Sequence, residues 1–173
     1  MADWSFRPAT AEDVHRIADL KVLVIREHLE RLRPWSEDSA REYLYVRYVP
    51  GNTRIIEVAG EFAGSVALRQ EPDCRWIEQF YLYPRFQGRG IGGAVLGALL
   101  EECDADGQVA RLDVLQRSPA RRLYERHGFV LEHEDELDAF LIRQPRQGFS
   151  GVEEMRTLSA HSFTQTGSSS PAG

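Results

Sequence analysis

Residues 85–93 read Arg85-Phe86-Gln87-Gly88-Arg89-Gly90-Ile91-Gly92-Gly93, and an apolar stripe at helical spacing starts directly behind them. The first turn of a helix presents unpaired backbone N–H groups at the positive end of its dipole, so an anion is favoured there. Glycine has no Cβ to hold a pyrophosphate away from the backbone, while Gln87 adds a side-chain donor and Arg89 a positive charge. The chemistry expected of Gln87, Gly88, Arg89, Gly90, Ile91, Gly92 and Gly93 is therefore the cradling of a phosphate-bearing ligand. A glycine-rich turn taken alone is equally a tight loop, so the elements around it must decide.

Through Gly88, Gly90 and Gly93 the run also satisfies G-x-G-x-x-G, with Asp113 20 residues beyond. A dinucleotide fingerprint follows the first strand of a parallel unit, and its acidic residue lies at a strand end. This run instead follows three short strand patterns and Pro84, and Asp113 falls in the middle of a strand expected over 109–115. The dinucleotide reading is rejected on those grounds.

The elements that must hold the turn follow from periodicity and punctuation. A strand is expected over 4–7, then a helix opened by Thr10 with Asp13 in its first turn, carrying Val14, Ile17, Ala18, Leu20, Val24 and Ile25 on one face to about residue 32. Pro34 stops it, and Ser36 caps a second helix with Ala40, Tyr43, Leu44 and Tyr48, closed by Pro50-Gly51-Asn52. Short runs rich in Ile, Val and aromatics at 54–59, 62–69 and 75–83 read as an antiparallel meander. Ile91, Val95, Leu96, Leu99, Leu100 and Cys103 form the next helical stripe. A strand at 109–115, a helix over about 119–127 with Gly128 at its C-cap position, and strands near 129–133 and 137–143 complete the pattern. The fold class expected is α+β, a mixed and mostly antiparallel sheet flanked by helices. Residues 1–147 form one domain in this reading, and 148–173, rich in Ser, Thr and Gly, a disordered tail.

Gln87-Gly88-Arg89-Gly90-Ile91-Gly92 resembles the Q/R-x-x-G-x-G/A acetyl-CoA signature of the GNAT superfamily of N-acyltransferases, preceded as in that family by an apolar-ended strand and Pro84. A second run, Ser118-Pro119-Ala120-Arg121-Arg122-Leu123-Tyr124-Glu125-Arg126-His127-Gly128-Phe129, is similar to the family's N-x-x-A-x-x-L-Y-x-x-x-G-F and stands at the expected separation. The resemblance extends over residues 4–143, about four-fifths of the chain. It implies acetyl-CoA as co-substrate, no metal, and transfer of the acetyl group to an amine by direct attack. A backbone N–H of Leu82 or Tyr83 would meet the thioester carbonyl, Tyr124 would sit near the sulfur as acid, and Ser118 and Arg121 would join the cofactor contacts. Ser118 stands where the family often has Asn, which implies a weaker or water-bridged contact to the pantetheine arm.

For the base, Glu78 is favoured: by two-residue alternation it shares a face with Phe80 and Leu82 and points toward the site that Leu82 borders. The competing reading is a surface carboxylate paired with an arginine; for Tyr124 it is core packing beside Leu123 and Phe129. His127 ends a helix, where a histidine interacts with the dipole. Neither Cys74 nor Cys103 has a histidine beside it in sequence, which disfavours a cysteine route. The acceptor would enter between the first two helices and the last strand pair, where Glu132, Glu134, Asp135, Glu136 and Asp138 face Trp35, Tyr43 and Tyr48. Such a mouth attracts a cationic amine, or else the acids are a solvated hairpin.

The bulk numbers narrow the alternatives. The 173 residues are 42% hydrophobic and 28% charged, with a net charge of -6, which argues against a phosphate-backbone binder. No apolar run approaches the length of a membrane span, residues 1–6 lack a secretory pattern, and the cysteines follow no disulfide or metal spacing. A cytoplasmic protein is expected, with a small-molecule or peptide amine as partner, a homodimer allowed, and neither nucleic acid nor membrane. A reading from another class is a non-catalytic acyl-CoA-binding sensor or scaffold, which would bind the same ligand without turnover.

Overall fold

Asp13 starts the first helix by reaching back along the chain. Its carboxylate accepts from the Thr10 N–H at 2.8 Å and from two Arg7 nitrogens at 2.8 Å each, and the Arg7 bonds hold its carboxyl down to about 2. Helix α1, Asp13–Leu32, begins there, and α2, Glu37–Arg47, begins where the Ser36 hydroxyl accepts from the Ser39 N–H at 3.3 Å. The computed structural model describes residues 3–32 and 34–146, so the tail expected over 148–173 lies outside the described residues.

The strands are β1 Trp4–Pro8, β2 Thr53–Val58, β3 Glu61–Gln70, β4 Cys74–Leu82, β5 Val109–Leu115, β6 Val130–Glu134 and β7 Asp138–Arg143. With α3, Ile91–Ala105, and α4, Arg121–Arg126, they follow the expected order, adding short 3-10 turns at Pro50–Asn52 and Pro84–Phe86. The sheet runs β1-β2-β3-β4-β5-β7-β6, antiparallel at each step except β4 with β5. Apart from the exposed edge strand β6, both faces carry buried apolar residues and both are packed by helices. The α3 stripe packs with Ile77, Leu112, Val114, Tyr124 and Phe129 on one side. Ile17, Ala18 and Leu20 of α1 and Leu44 of α2 pack with Ile55 and Phe62 on the other. Among the described residues no helix is long and apolar enough to cross a membrane.

Two irregularities shape the middle of the sheet. The parallel β4–β5 pairing joins only Cys74, Arg75 and Trp76 to Val109, Ala110 and Arg111, so beyond Trp76 the two strands part and leave a wedge. On its other side β4 carries a bulge: the register with β3 shifts between Ser65 and Ala67, and Gln79 sits at φ 52. The buried Ser65 hydroxyl donates to the Gln79 carbonyl at 3.2 Å, and the Tyr81 hydroxyl to the Gln79 side-chain oxygen at 2.8 Å. The two strands also come close at Gly64, where a Cβ would overlap the Tyr81 carbonyl oxygen.

Candidate active site

The wedge opens onto the glycine turn. Gly88 at φ 69 and Gly90 at φ 80 take left-handed conformations that a side chain would strain, and Gly90 is the residue from which α3 starts. A Cβ at either position would project into open space, so the turn leaves its outer side clear. Behind it the first residues of α3, Ile91, Gly92 and Gly93, supply the helix-start N–H groups. Arg89 makes no ion pair among the described residues, leaving its charge for an anion. Gln87 behaves differently from expectation: its side-chain nitrogen donates to the Leu82 carbonyl at 2.8 Å and ties the turn to the end of β4.

The two backbone donors proposed for the thioester carbonyl differ. The Tyr83 N–H donates to the Ala63 carbonyl at 2.9 Å and is committed to the sheet. That bond makes Leu82 opposite Gly64 a non-hydrogen-bonded pair, so the Leu82 N–H points away from β3, toward the wedge where β5 has already departed. Of the pair, Leu82 is the donor on the open side and Tyr83 is not.

Glu78 requires a correction. The Gln79 bulge resets the alternation, so that Ile77, Phe80 and Leu82 all pack against the α3 side, whereas Tyr81 packs against the α1 and α2 side. Glu78 therefore lies on the face of Tyr81 and not with Phe80 and Leu82. There it accepts from Arg69 at 3.3 Å, with a side chain 16% exposed. It faces α1 and α2, the helical side of the entrance expected for an acceptor.

Tyr124 is 8% exposed, set edge-on to Phe129 with ring centres 6.0 Å apart. Burial raises its hydroxyl pKa, and the negative charge of Asp113 adds to the effect. The hydroxyl makes no hydrogen bond among the described residues. The one sealed side-chain polar atom there without a partner is the Trp35 indole nitrogen, so the Tyr124 oxygen reaches open space. The ring is core and the hydroxyl is not.

Ser118 accepts from the Ala120 N–H at 3.3 Å, and Arg121 pairs with Glu125 at 2.8 Å. Both line an open groove with Arg117 and Arg122, two arginines without an ion pair among the described residues. His127 points Nδ1 at the Leu123 carbonyl, 2.8 Å away. Cys74 and Cys103 are buried, and burial pushes the Cys103 thiol up, away from a reactive thiolate.

The acidic hairpin is engaged in its own structure. Glu132 pairs with Arg111 at 3.0 Å, Glu134 accepts from Gln116 at 3.4 Å, and Asp135 accepts from the N–H groups of Leu137 and Asp138 at 2.8 and 2.7 Å. Of the aromatic residues expected opposite it, Tyr48 donates to the Thr10 carbonyl at 2.5 Å and Trp35 lies under the Arg26 guanidinium. Tyr43 alone leads to something unforeseen: the Lys21 ammonium and the Arg47 guanidinium each lie 4.4 Å from the centre of its ring.

Those two cations and Asp113 form a charged cluster that sequence reasoning missed. Asp113 projects from β5 on the face opposite Leu112 and Val114, beside the Trp76 indole. Its surface is accessible, yet protein surrounds the recess closely enough that desolvation raises its carboxyl pKa. One signal for Lys21 was present in the sequence. Ile17, Leu20, Lys21 and Val24 stand at i, i+3, i+4 and i+7, so a lysine occupies a position of the buried stripe.

This geometry agrees with what comparison with known proteins finds. Residues 20–129, more than half of the chain, match the model of the acetyltransferase (GNAT) family. The fold resembles N-acetylglutamate synthase from Neisseria gonorrhoeae, in a structure with coenzyme A and L-arginine, at 26% identity and TM-score 0.60 over 85% of this chain and 34% of that one. The chain thus spans about a third of that protein's length. PaiA N-acetyltransferase from Thermoplasma acidophilum, in complex with coenzyme A, shares the fold at 15% identity and TM-score 0.66, over 82% of this chain and 99% of that one. An N-acetyltransferase from Staphylococcus aureus Mu50 does so at 20% identity and TM-score 0.62, over 80% and 99%. With the wedge, the glycine turn and the family match in agreement, the chain belongs to the GNAT family of acetyltransferases.

Proposed function

We propose that the protein is an acetyl-CoA-dependent N-acetyltransferase that passes an acetyl group to a primary amine by direct attack in the wedge between β4 and β5. The observation that carries this reading is the Leu82 N–H, left without a strand partner where β4 and β5 part and five residues ahead of the Gln87 turn. A fixed backbone donor at that point stabilises the oxyanion that forms when an amine attacks a thioester carbonyl. The positive-φ glycines and the α3 start suit the pyrophosphate of the co-substrate, with Arg89 adding charge. The groove of Arg117, Ser118, Arg121 and Arg122 offers further cationic and polar contacts along the same ligand. That PaiA and the Neisseria synthase were solved with coenzyme A supports this assignment of the ligand.

The proton steps fall on opposite sides of the wedge. The amine loses its proton on the α1 and α2 side, where Glu78 and Asp113 face the recess and either a carboxylate or water accepts it. The departing sulfur gains a hydrogen-bond donor on the α4 side, where Tyr124 is protonated at neutral pH and burial raises its pKa further. The chemistry needs no covalent enzyme intermediate, and the buried cysteines offer none.

Free-thiol release from acetyl-CoA, followed across a broad panel of primary amines, tests the reading. Acetylated amine in proportion to thiol supports it. Coenzyme A binding by calorimetry without any amine-dependent thiol release would replace it with a non-catalytic acyl-CoA sensor.

A further inference from the structure

Lys21 stands in the buried stripe of α1 with Ile17, Leu20 and Val24, and it is only 5% exposed. Its ammonium and the Arg47 guanidinium, brought from α2, are each 4.4 Å from the centre of the Tyr43 ring, so they are no further apart than twice that distance. Like charges held this close repel. Neither makes an ion pair among the described residues. The acid within electrostatic reach of Lys21 is Asp113, because Glu78 is engaged by Arg69. Two cations thus stand within reach of a single carboxylate, Asp113, which accepts from the Trp76 side chain and makes no ion pair among the described residues. A cation kept out of water without a counter-charge is unfavourable, and it persists in a folded chain where an incoming anion completes the arrangement. The Lys21 nitrogen is positioned for one: it makes no hydrogen bond among the described residues, yet it is not sealed off.

Building on the N-acetyltransferase reading, we propose that the acceptor is a primary amine that also carries a carboxylate, an α-amino acid being the simplest case. Lys21 and Arg47 hold the carboxylate, and the amine turns toward Asp113 and the Leu82 end of β4. The ammonium gives its proton to a carboxylate or water of the recess. The nitrogen lone pair then bonds to the thioester carbonyl carbon, the C–S bond breaks, and sulfur leaves with the electron pair and acquires a proton. The carboxylate passes through unchanged and serves only to orient the amine. Polyamines and aminoglycosides fit poorly, since a second positive charge would stand beside Lys21 and Arg47, and of the hairpin acids that were expected to draw a cation Glu132 is paired with Arg111 and Asp135 holds two backbone N–H groups.

The test compares matched pairs, L-amino acids and their C-terminal amides, as acceptors for the full chain with saturating acetyl-CoA. Amidation removes the negative charge and leaves the side chain, and it also makes the amine easier to deprotonate. Intrinsic reactivity therefore favours the amide, and any preference for the acid must come from binding. Charge-assisted hydrogen bonds to the carboxylate predict kcat/KM about 10- to 100-fold higher for the acid than for its amide. The preference should collapse toward parity in Lys21→Met and in Arg47→Gln, the latter at an exposed position that leaves folding intact, with the KM for acetyl-CoA unchanged. Lys21→Arg should retain part of it. Amides or simple alkylamines accepted as well as the acids would overturn the proposal and leave the N-acetyltransferase reading standing. Failure of that reading looks different, with no thiol release from any amine. Melting in the presence of coenzyme A decides the proposal even then: an amino acid that raises the wild-type Tm more than its amide does supports it, and no such difference overturns it.

Discussion

Lys21→Met removes a charge and keeps a flexible stem of similar length, so its effect isolates what the ammonium does to the folded chain. Burial first, then repulsion from Arg47, pushes the Lys21 pKa from 10.5 down to about 8, with Asp113 opposing. At ~1.4 kcal/mol per decade that gap corresponds to about 3 kcal/mol of destabilisation, borne whenever the folded chain holds the charged form. The sign follows from proton binding. Between about pH 8 and 10.5 the unfolded lysine keeps a proton that the folded one has released, so stability rises with pH across that window. Below it the penalty is present in full, and above it the penalty is gone. The variant should therefore be the more stable protein at pH 7, by up to about 3 kcal/mol, and lose most of that advantage by pH 10. Urea unfolding of wild type and variant at both pH values measures this. The other groups around Lys21, namely Arg47 and Tyr43 on α2 and Asp113 on β5, are common to the two proteins and largely cancel in the difference. A variant less stable than wild type at pH 7, or a gap that is the same at both pH values, would refute the reasoning.

Tyr124→Phe keeps the ring against Phe129 and removes the hydroxyl, so turnover should fall on the order of 10²-fold with coenzyme A affinity unchanged; equal rates from pH 6 to 10 would leave Tyr124 as a core residue only. Gly64→Ala puts a methyl group against the Tyr81 carbonyl oxygen and should lower stability by roughly 1–3 kcal/mol, read as a reduced urea midpoint. Gly90→Val forces a β-branched residue to φ 80 at the start of α3. It should add strain of about 1–2 kcal/mol and abolish coenzyme A binding in calorimetry, while circular dichroism shows the fold retained. Removal of residues 148–173 should leave melting temperature and activity as they are, and a drop in either would show that this segment serves the domain.

Much of this protein could be read from local pattern, because the determinants are short-range. The stripe of Ile91, Val95, Leu96, Leu99, Leu100 and Cys103 is buried as its spacing requires, Ser36 caps α2, and Gly128 closes α4 at φ 90. The glycine turn was legible for the same reason, since a strand, a loop without side chains and a helix start are all written within a few residues. What the sequence left undecided depends on a single inserted residue or on partners far along the chain. Alternation placed Glu78 with Leu82, but the bulge at Gln79, held by Ser65 from the neighbouring strand, turns Glu78 to the other face. Leu82 and Tyr83 looked equivalent until the register with Ala63 and Gly64 assigned one N–H to the sheet and the other to the wedge. The wedge itself exists because pairing between residues 74–76 and 109–111 stops there. Lys21 stood out of place in its apolar stripe, and Tyr43 and Arg47 are i, i+4 neighbours on α2, yet nothing local says that Lys21 would reach the same tyrosine ring or that Asp113 would approach from β5. Helix periodicity reports which side of an element is buried, whereas the identity of the groups that meet there is settled only when α1 and α2 pack across the sheet.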